Sequence, residues 1–334
     1  MDNVNKKNNN INNILDNLSK NKLLNPIIDF IRTNFGILLG LIFICVLMII
    51  LTPNFLKANN IINILRQVTT NLNLALGMTI IIIINGIDLS VVSIVALSGT
   101  IAGELIAFAN WPLPLAIITA VLIGTLCGLF NGVVVAKTQI PPFIATLGML
   151  NIARGIAYVS TGGQPVRVMN ESFTLLGSGY IGKIPLQVIY TLIFVIIISL
   201  ILRKTKLGRH IYAIGGNITA ARFSGIKIVY VTIFAYTLSG FLSGFSGVVL
   251  ASRMYSGQPT AAQGFELDAI AACVLGGTSM RGGVGTIGGT VIGALIIGVL
   301  NNGLNLLNIN SFWQLIVKGA VILLAVYIDL MKKR

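Results

Sequence analysis

Charge is the first thing this sequence lacks. Only 10% of its 334 residues are Asp, Glu, Lys or Arg, where a soluble domain carries about a quarter, so a soluble globular fold is excluded. Carboxylates are scarcest, nine against 23 Lys and Arg. Cys45, Cys127 and Cys273 each sit inside an apolar run with no CxxC spacing and no His nearby, so neither a disulfide framework nor a metal site follows. No GxxxxGK[ST] run occurs, which leaves this chain without a P-loop to cradle ATP phosphates. The first 34 residues have neither the short apolar core nor the small-residue cleavage site of a signal peptide.

What is present in excess is apolar sequence. Hydrophobic residues make up 55% of the chain, mean hydropathy is +0.91 and 36 residues are glycine, a composition suited to transmembrane helices. A span needs about 20 apolar residues, and on that ruler ten segments emerge, near 36–52, 63–84, 89–108, 113–136, 140–160, 185–202, 228–251, 266–280, 286–307 and 313–330. The expected fold is all-α: a polytopic membrane protein of about ten transmembrane helices with both termini cytoplasmic. Residues 1–34 are expected to form a polar, Asn-rich cytoplasmic tail until a helix begins near Leu23, and residues 35–334 the transmembrane domain. The stretches 85–90 and 276–285 are ambiguous between turns and broken helices.

The net charge of +14 does not indicate nucleic acid, because no basic face is interleaved with aromatics. The cations fall between apolar runs instead. With the N-terminus inside, the tail, Lys137, residues 203–227, Arg281 and the terminal Lys332, Lys333 and Arg334 are cytoplasmic, while Lys57, Arg66, Arg154, Arg167, Lys183, Arg253 and Lys318 are outside or within spans. That bias obeys the positive-inside rule. The stretch from Arg203 to Lys227 concentrates six cations, the single His and no carboxylate. Within it Asn217 suits an N-cap and Gly225 the left-handed residue after a helix, so 218–224 is predicted as a two-turn helix flanked by flexible Gly215 and Gly216. Such a helix can fill a groove on a partner; the alternative is a solvated loop that only sets topology.

The residues from Leu207 to Asn217, LGRHIYAIGGN, continuing through Ala220-Ala221-Arg222-Phe223-Ser224-Gly225-Ile226, resemble the cytoplasmic coupling segment of ribose-type permeases of ATP-binding-cassette importers. Gly86-Ile87-Asp88-Leu89-Ser90, Thr161-Gly162-Gly163-Gln164-Pro165, Leu275-Gly276-Gly277-Thr278-Ser279, Gly282-Gly283 and Gly285-Thr286 are similar to that family's blocks, in its order, across roughly residues 35–330. Asn85 and Val92 stand where glycine is usual. The resemblance implies a non-catalytic permease subunit that pairs with a second copy of itself, a cytoplasmic ATPase and an extracytoplasmic sugar-binding protein. It implies no cofactor on this chain, with ATP and Mg²⁺ held by the partner ATPase. Gly208, Arg209, Gly215, Asn217, Ala220, Ala221, Arg222 and Gly225 are the residues it assigns to coupling.

Other features carry weaker readings. Gly283-Val284-Gly285-Thr286-Ile287-Gly288 fits GxGxxG, but it precedes a membrane-length apolar run and has no acidic residue about 20 positions on, which argues against dinucleotide binding. Gly124, Gly128 and Gly132 recur every four residues, as do Gly285, Gly289 and Gly293, a spacing that lets helix backbones approach and hints at two structural repeats. Asp88 is read as a helix cap or an anchor of a broken helix ahead of a direct solute contact, and Glu266 and Asp268 as a solvated outer face. For the solute path the candidates are Asn85, Asp88 and Asn131. An ion-driven secondary transporter is the rival reading, opposed by the scarcity of intramembrane carboxylates; a scaffold without a solute is another. Within the family, nucleosides, branched-chain amino acids or a signalling sugar are alternatives to a ribose-like sugar.

Overall fold

The computed structural model describes residues 25–331. The expected tail up to residue 24, with the helix start near Leu23, and the terminal Lys332, Lys333 and Arg334 lie outside the described residues. Thirteen helices carry the described fold: α1 Asn25–Leu51, α2 Ala58–Ile83, α3 Val91–Ala107, α4 Leu113–Lys137, α5 Pro142–Thr161, α6 Glu171–Ser178, α7 Leu186–Lys204, α8 Lys206–Gly216, α9 Ile218–Phe223, α10 Ile228–Arg253, α11 Phe265–Leu275, α12 Ile287–Leu306 and α13 Ser311–Met331. Proline sets several starts. Pro112, Pro141 and Pro185 precede α4, α5 and α7, where a fixed φ and a missing N–H cost nothing. Gly162, at φ 60°, ends α5 in the left-handed conformation.

Six of these helices are long and apolar enough to cross a membrane: the Phe30–Leu51 part of α1, and α4, α5, α7, α10 and α12. Large apolar side chains such as Ile42, Phe130, Ile152, Leu192 and Leu315 are exposed on the peripheral helices, the surface that hydrocarbon would cover. Helix α2 has the length, at 26 residues, but between Asn59 and Asn73 it carries Asn59, Asn60, Asn63, Arg66, Gln67, Asn71 and Asn73. From Val68 to Ile83 it is buried throughout, so protein rather than lipid surrounds it.

One expected span is corrected. The segment read as 266–280 holds an 11-residue helix, α11, about 16 Å long and half the ~30 Å hydrocarbon thickness. The chain before it is a two-residue strand followed by a run of turns. Strand β4, Ser256–Gly257, pairs antiparallel with β1, Val166–Arg167; a second short hairpin joins β2, Tyr180–Ile181, to β3, Ile184–Pro185. Gly257 packs so closely that a Cβ there would lie 2.8 Å from Thr100 Cα in α3. Gly276 at the far end of α11 has the same constraint against Gly289.

Both glycine stripes lie at helix contacts. A Cβ on Gly124 would meet Gly244 Cα at 2.7 Å, and one on Gly132 would meet Ile233 Cα at 2.8 Å, which welds α4 to α10. Gly289 and Gly293 instead lie against Gly276 and Ala272 of α11. Small residues thus bring backbones together in both places, with different helix partners.

Candidate coupling and translocation site

The two ambiguous stretches are both helix breaks, and they meet. After α2 the chain leaves the helix at Asn85, whose φ of 63° is left-handed; Gly86 N then returns to Ile81 O at 2.8 Å. Asparagine is the residue other than glycine that best tolerates this conformation, which accounts for Asn85 standing where glycine is usual. After α11 the second break reaches the first, with Gly283 N donating to Ile83 O at 2.8 Å.

Asp88 anchors the first break. It is fully buried, and its Oδ1 accepts from Ser90 N at 3.0 Å and Ser90 Oγ at 2.5 Å. Its Oδ2 accepts from Ser239 Oγ of α10 at 3.2 Å. Asn131 of α4 donates from Nδ2 to Ser90 Oγ at 2.9 Å. Three helices are therefore tied to one turn. Ser90, and not Asp88, is the N-cap residue of α3. Asp88 and Asn131 are 0% and 1% exposed and sit inside this knot, away from the inner cavity to which Asn85 contributes.

The basic stretch closes over both breaks as two helices. Thr205 caps α8 by accepting from Gly208 N at 3.1 Å. Asn217 caps α9 by accepting from Ala220 N at 2.9 Å, and Gly225, at φ 78°, follows it, as the spacing predicts. Gly215 and Gly216 end α8 and are no flexible hinge. A Cβ on Gly215 would clash with Ile83 O and lie 2.5 Å from Gly283 N, so glycine here buys contact with both breaks at once. Tyr212 donates to Gly285 O at 2.7 Å. Burial pushes its phenol above the ordinary value against the opposing pull of Arg203.

The residues expected to couple divide by orientation. Gly208 and Ala221 are buried in the chain's own packing, Ala221 at 3% exposure, and Gly215 lies in the seam. Arg209, Asn217, Ala220, Arg222 and Gly225 are exposed. Ile218 is 51% and Phe223 87% exposed, an apolar pair on the outer side of α9 that the sequence reading passed over. The signal was available, since Phe223 and Tyr212 are the only aromatic rings of Phe, Tyr or Trp type in that basic stretch. Between α8, α9 and the first break lies a cavity of about 620 Å³, lined by Asn85, Gly215, Asn217, Arg222, Tyr236 and Arg281 among others.

The opposite end of the α2–α12 contact, expected to face outward, is built differently. Asn60 and Asn302 exchange amide hydrogen bonds at 3.0 and 2.9 Å between α2 and α12. Asp268, read from sequence as part of a solvated face, is instead 2% exposed. Its Oδ2 accepts from Lys318 Nζ of α13 at 2.9 Å and from Asn301 Nδ2 at 3.2 Å. Lys318 lies 50 residues away, a pairing that no local spacing reveals.

Residues 60–326 match the family described as branched-chain amino acid transport system / permease component. The chain belongs to this permease family. It is 47% identical to the ribose import permease protein RbsC of Bacillus subtilis over 90% of this chain and 94% of that protein. It is 45% identical to RbsC of Escherichia coli K12 over 87% and 92%, and 39% identical to the L-arabinose ABC transporter permease protein AraH of Azospirillum brasilense over 83% and 81%. No solved structure matches it. The permease is thus a multi-pass protein of the bacterial cell membrane, consistent with its apolar helices.

Proposed function

We propose that this chain is the permease subunit of an ATP-binding-cassette importer that moves a ribose-like sugar inward, energised by a separate cytoplasmic ATPase. The matching family's description mentions branched-chain amino acids, but the relatives above, at 39–47% identity, are named for ribose and arabinose, which favours a monosaccharide. The chain itself performs no covalent chemistry in this reading. Two copies form the pathway, a sugar-binding protein delivers the solute from outside, and ATP with Mg²⁺ binds on the ATPase.

The observation that carries the mechanism is the seating of α8 on both helix breaks, through Gly215 against Ile83 O and Gly283 N and through Tyr212 to Gly285 O. A motor that moves α9 would move both breaks together. Phe223 and Ile218 are the apolar contact for its groove, with Arg209, Ala220 and Arg222 around them. Residues 203–227 thus act as the coupling unit of the transmembrane domain, whose first crossing is the Phe30–Leu51 part of α1, with the polar residues before it as a cytoplasmic tail. Ten crossings fit this arrangement if α11 and the strand and turns before it count as one, with both termini inside. The two breaks, each between a pair of helices, are the natural centres of two repeats.

Phe223→Asp tests the reading, because the side chain touches little of its own chain. Co-purification of the ATPase and ATP-driven uptake of labelled ribose should both fall at least about tenfold, with the thermal stability of the permease unchanged. Full assembly and uptake in this variant overturn the coupling role of α9. Uptake that survives ATP depletion and fails on collapse of the ion gradient favours an ion-driven transporter instead.

A further inference from the structure

A second cavity, of about 280 Å³, lies at the opposite end of α2. Asn71, Arg253, Asp268, Asn301, Asn305 and Lys318 contribute to its wall, from α2, α10, α11, α12 and α13. Its volume falls just under the roughly 300–1,000 Å³ that holds drug-sized ligands, which suits a solute of monosaccharide size. From Leu74 to Ile83 every residue of α2 is buried, and Thr79 bonds Thr290 Oγ1 at 2.7 Å beside Cys273. This septum separates the outer cavity from the inner one.

The chemistry of the wall is specific. Asp268 and Lys318 neutralise one another at 2.9 Å, and Arg253 is turned to Arg66 O at 3.0 Å. Two acceptors are left over: Asn71 Oδ1 and Asn301 Oδ1 are buried and receive no hydrogen bond. Buried polar atoms in native proteins are rarely left so, and both belong to residues lining this one cavity. A solute hydroxyl donates to such an oxygen and accepts from a neighbouring amide, guanidinium or ammonium group.

We propose that this cavity is an entry site where the permease holds one hydroxyl-rich, uncharged solute of monosaccharide size before the septum opens, with Asn71 and Asn301 as its acceptors. The inference rests on the importer reading and adds to it a position and a chemistry of binding. The inner cavity, lined by Arg222 and Arg281, is then the exit side.

The test uses the full complex with its ATPase and binding protein in proteoliposomes. Asn71→Leu and Asn301→Leu should each lower ribose uptake about tenfold while binding-protein-stimulated ATP hydrolysis persists, so that less sugar moves per ATP. A purely structural role would depress both together. In a second arm Asn301→Cys is labelled from outside by a membrane-impermeant maleimide, above the level of the parent, without binding protein. Free ribose at high concentration should slow the labelling, and ribonate should not. Parent-like uptake by both leucine variants, or labelling indifferent to ribose, overturns the site while leaving the importer reading intact. A parent complex that imports no sugar at all overturns the importer reading itself.

Discussion

The two ends of the α2–α12 contact are held by opposite means. At the inner end Ile83 O, Gly283 N and Gly215 touch backbone to backbone, with almost no side chain between them. At the outer end side chains do the joining: the Asn60–Asn302 amide pair links α2 to α12, and the Asp268–Asn301–Lys318 cluster ties α12 to α11 and α13. A seam of bare backbone transmits displacement without slack, because there are no rotamers to absorb it. A seam of polar side chains can trade partners with a solute. The contrast fits the proposed importer, driven from one face and loaded from the other.

Breaking the outer ion pair should have the largest effect. Lys318→Met leaves the Asp268 carboxylate buried with only the Asn301 amide, and loss of one partner of a buried pair costs about 3–5 kcal/mol. A marked drop in denaturation temperature in detergent is the expected result, largely reversed in the Asp268→Leu, Lys318→Met double variant. If the single variant is as stable as the parent, the cluster is no clasp.

At the inner seam, Gly215→Ala inserts a methyl group where backbone already sits. Overpacking of this kind costs about 1–3 kcal/mol, and its signature should be uncoupling: the ATPase still binds and hydrolyses ATP, but uptake falls about tenfold or more. A variant that loses ATPase binding instead would locate the defect in α9 itself. The smallest effect belongs to the amide pair. Asn302→Leu removes one interhelical partner while Asn60 keeps its bond to Phe55 O at 2.9 Å. Such bonds average about 0.6 kcal/mol in membrane proteins, so uptake should stay near the parent level and the melting point should move only slightly.

How far the residues announced this arrangement depends on the range of the interaction. The helices from α1 to α5 and α10 stand where apolar length and proline put them, and the Asn217 and Gly225 caps were readable because capping is decided within four residues. The helical character of α8 was hidden by its glycines, which lower intrinsic propensity and are retained for contact with another part of the chain. Ala221 looked available to a partner, yet its inward orientation depends on how α9 lies on the bundle. Likewise, the brevity of α11 follows from the turns before it and from strand β4, whose pairing with β1 bridges about 90 residues of sequence.

The bare inner seam also limits how such a permease can diversify. Gly215 and Gly283 have no side chain to exchange: a Cβ on Gly215 collides with main chain, and one on Gly283, whose φ of 74° already disfavours a side chain, would crowd Gly216 Cα at 3.0 Å. Descendants that acquire a taste for another sugar must therefore change the polar outer vestibule and leave the drive end untouched, so that one motor remains interchangeable among carriers of different cargo.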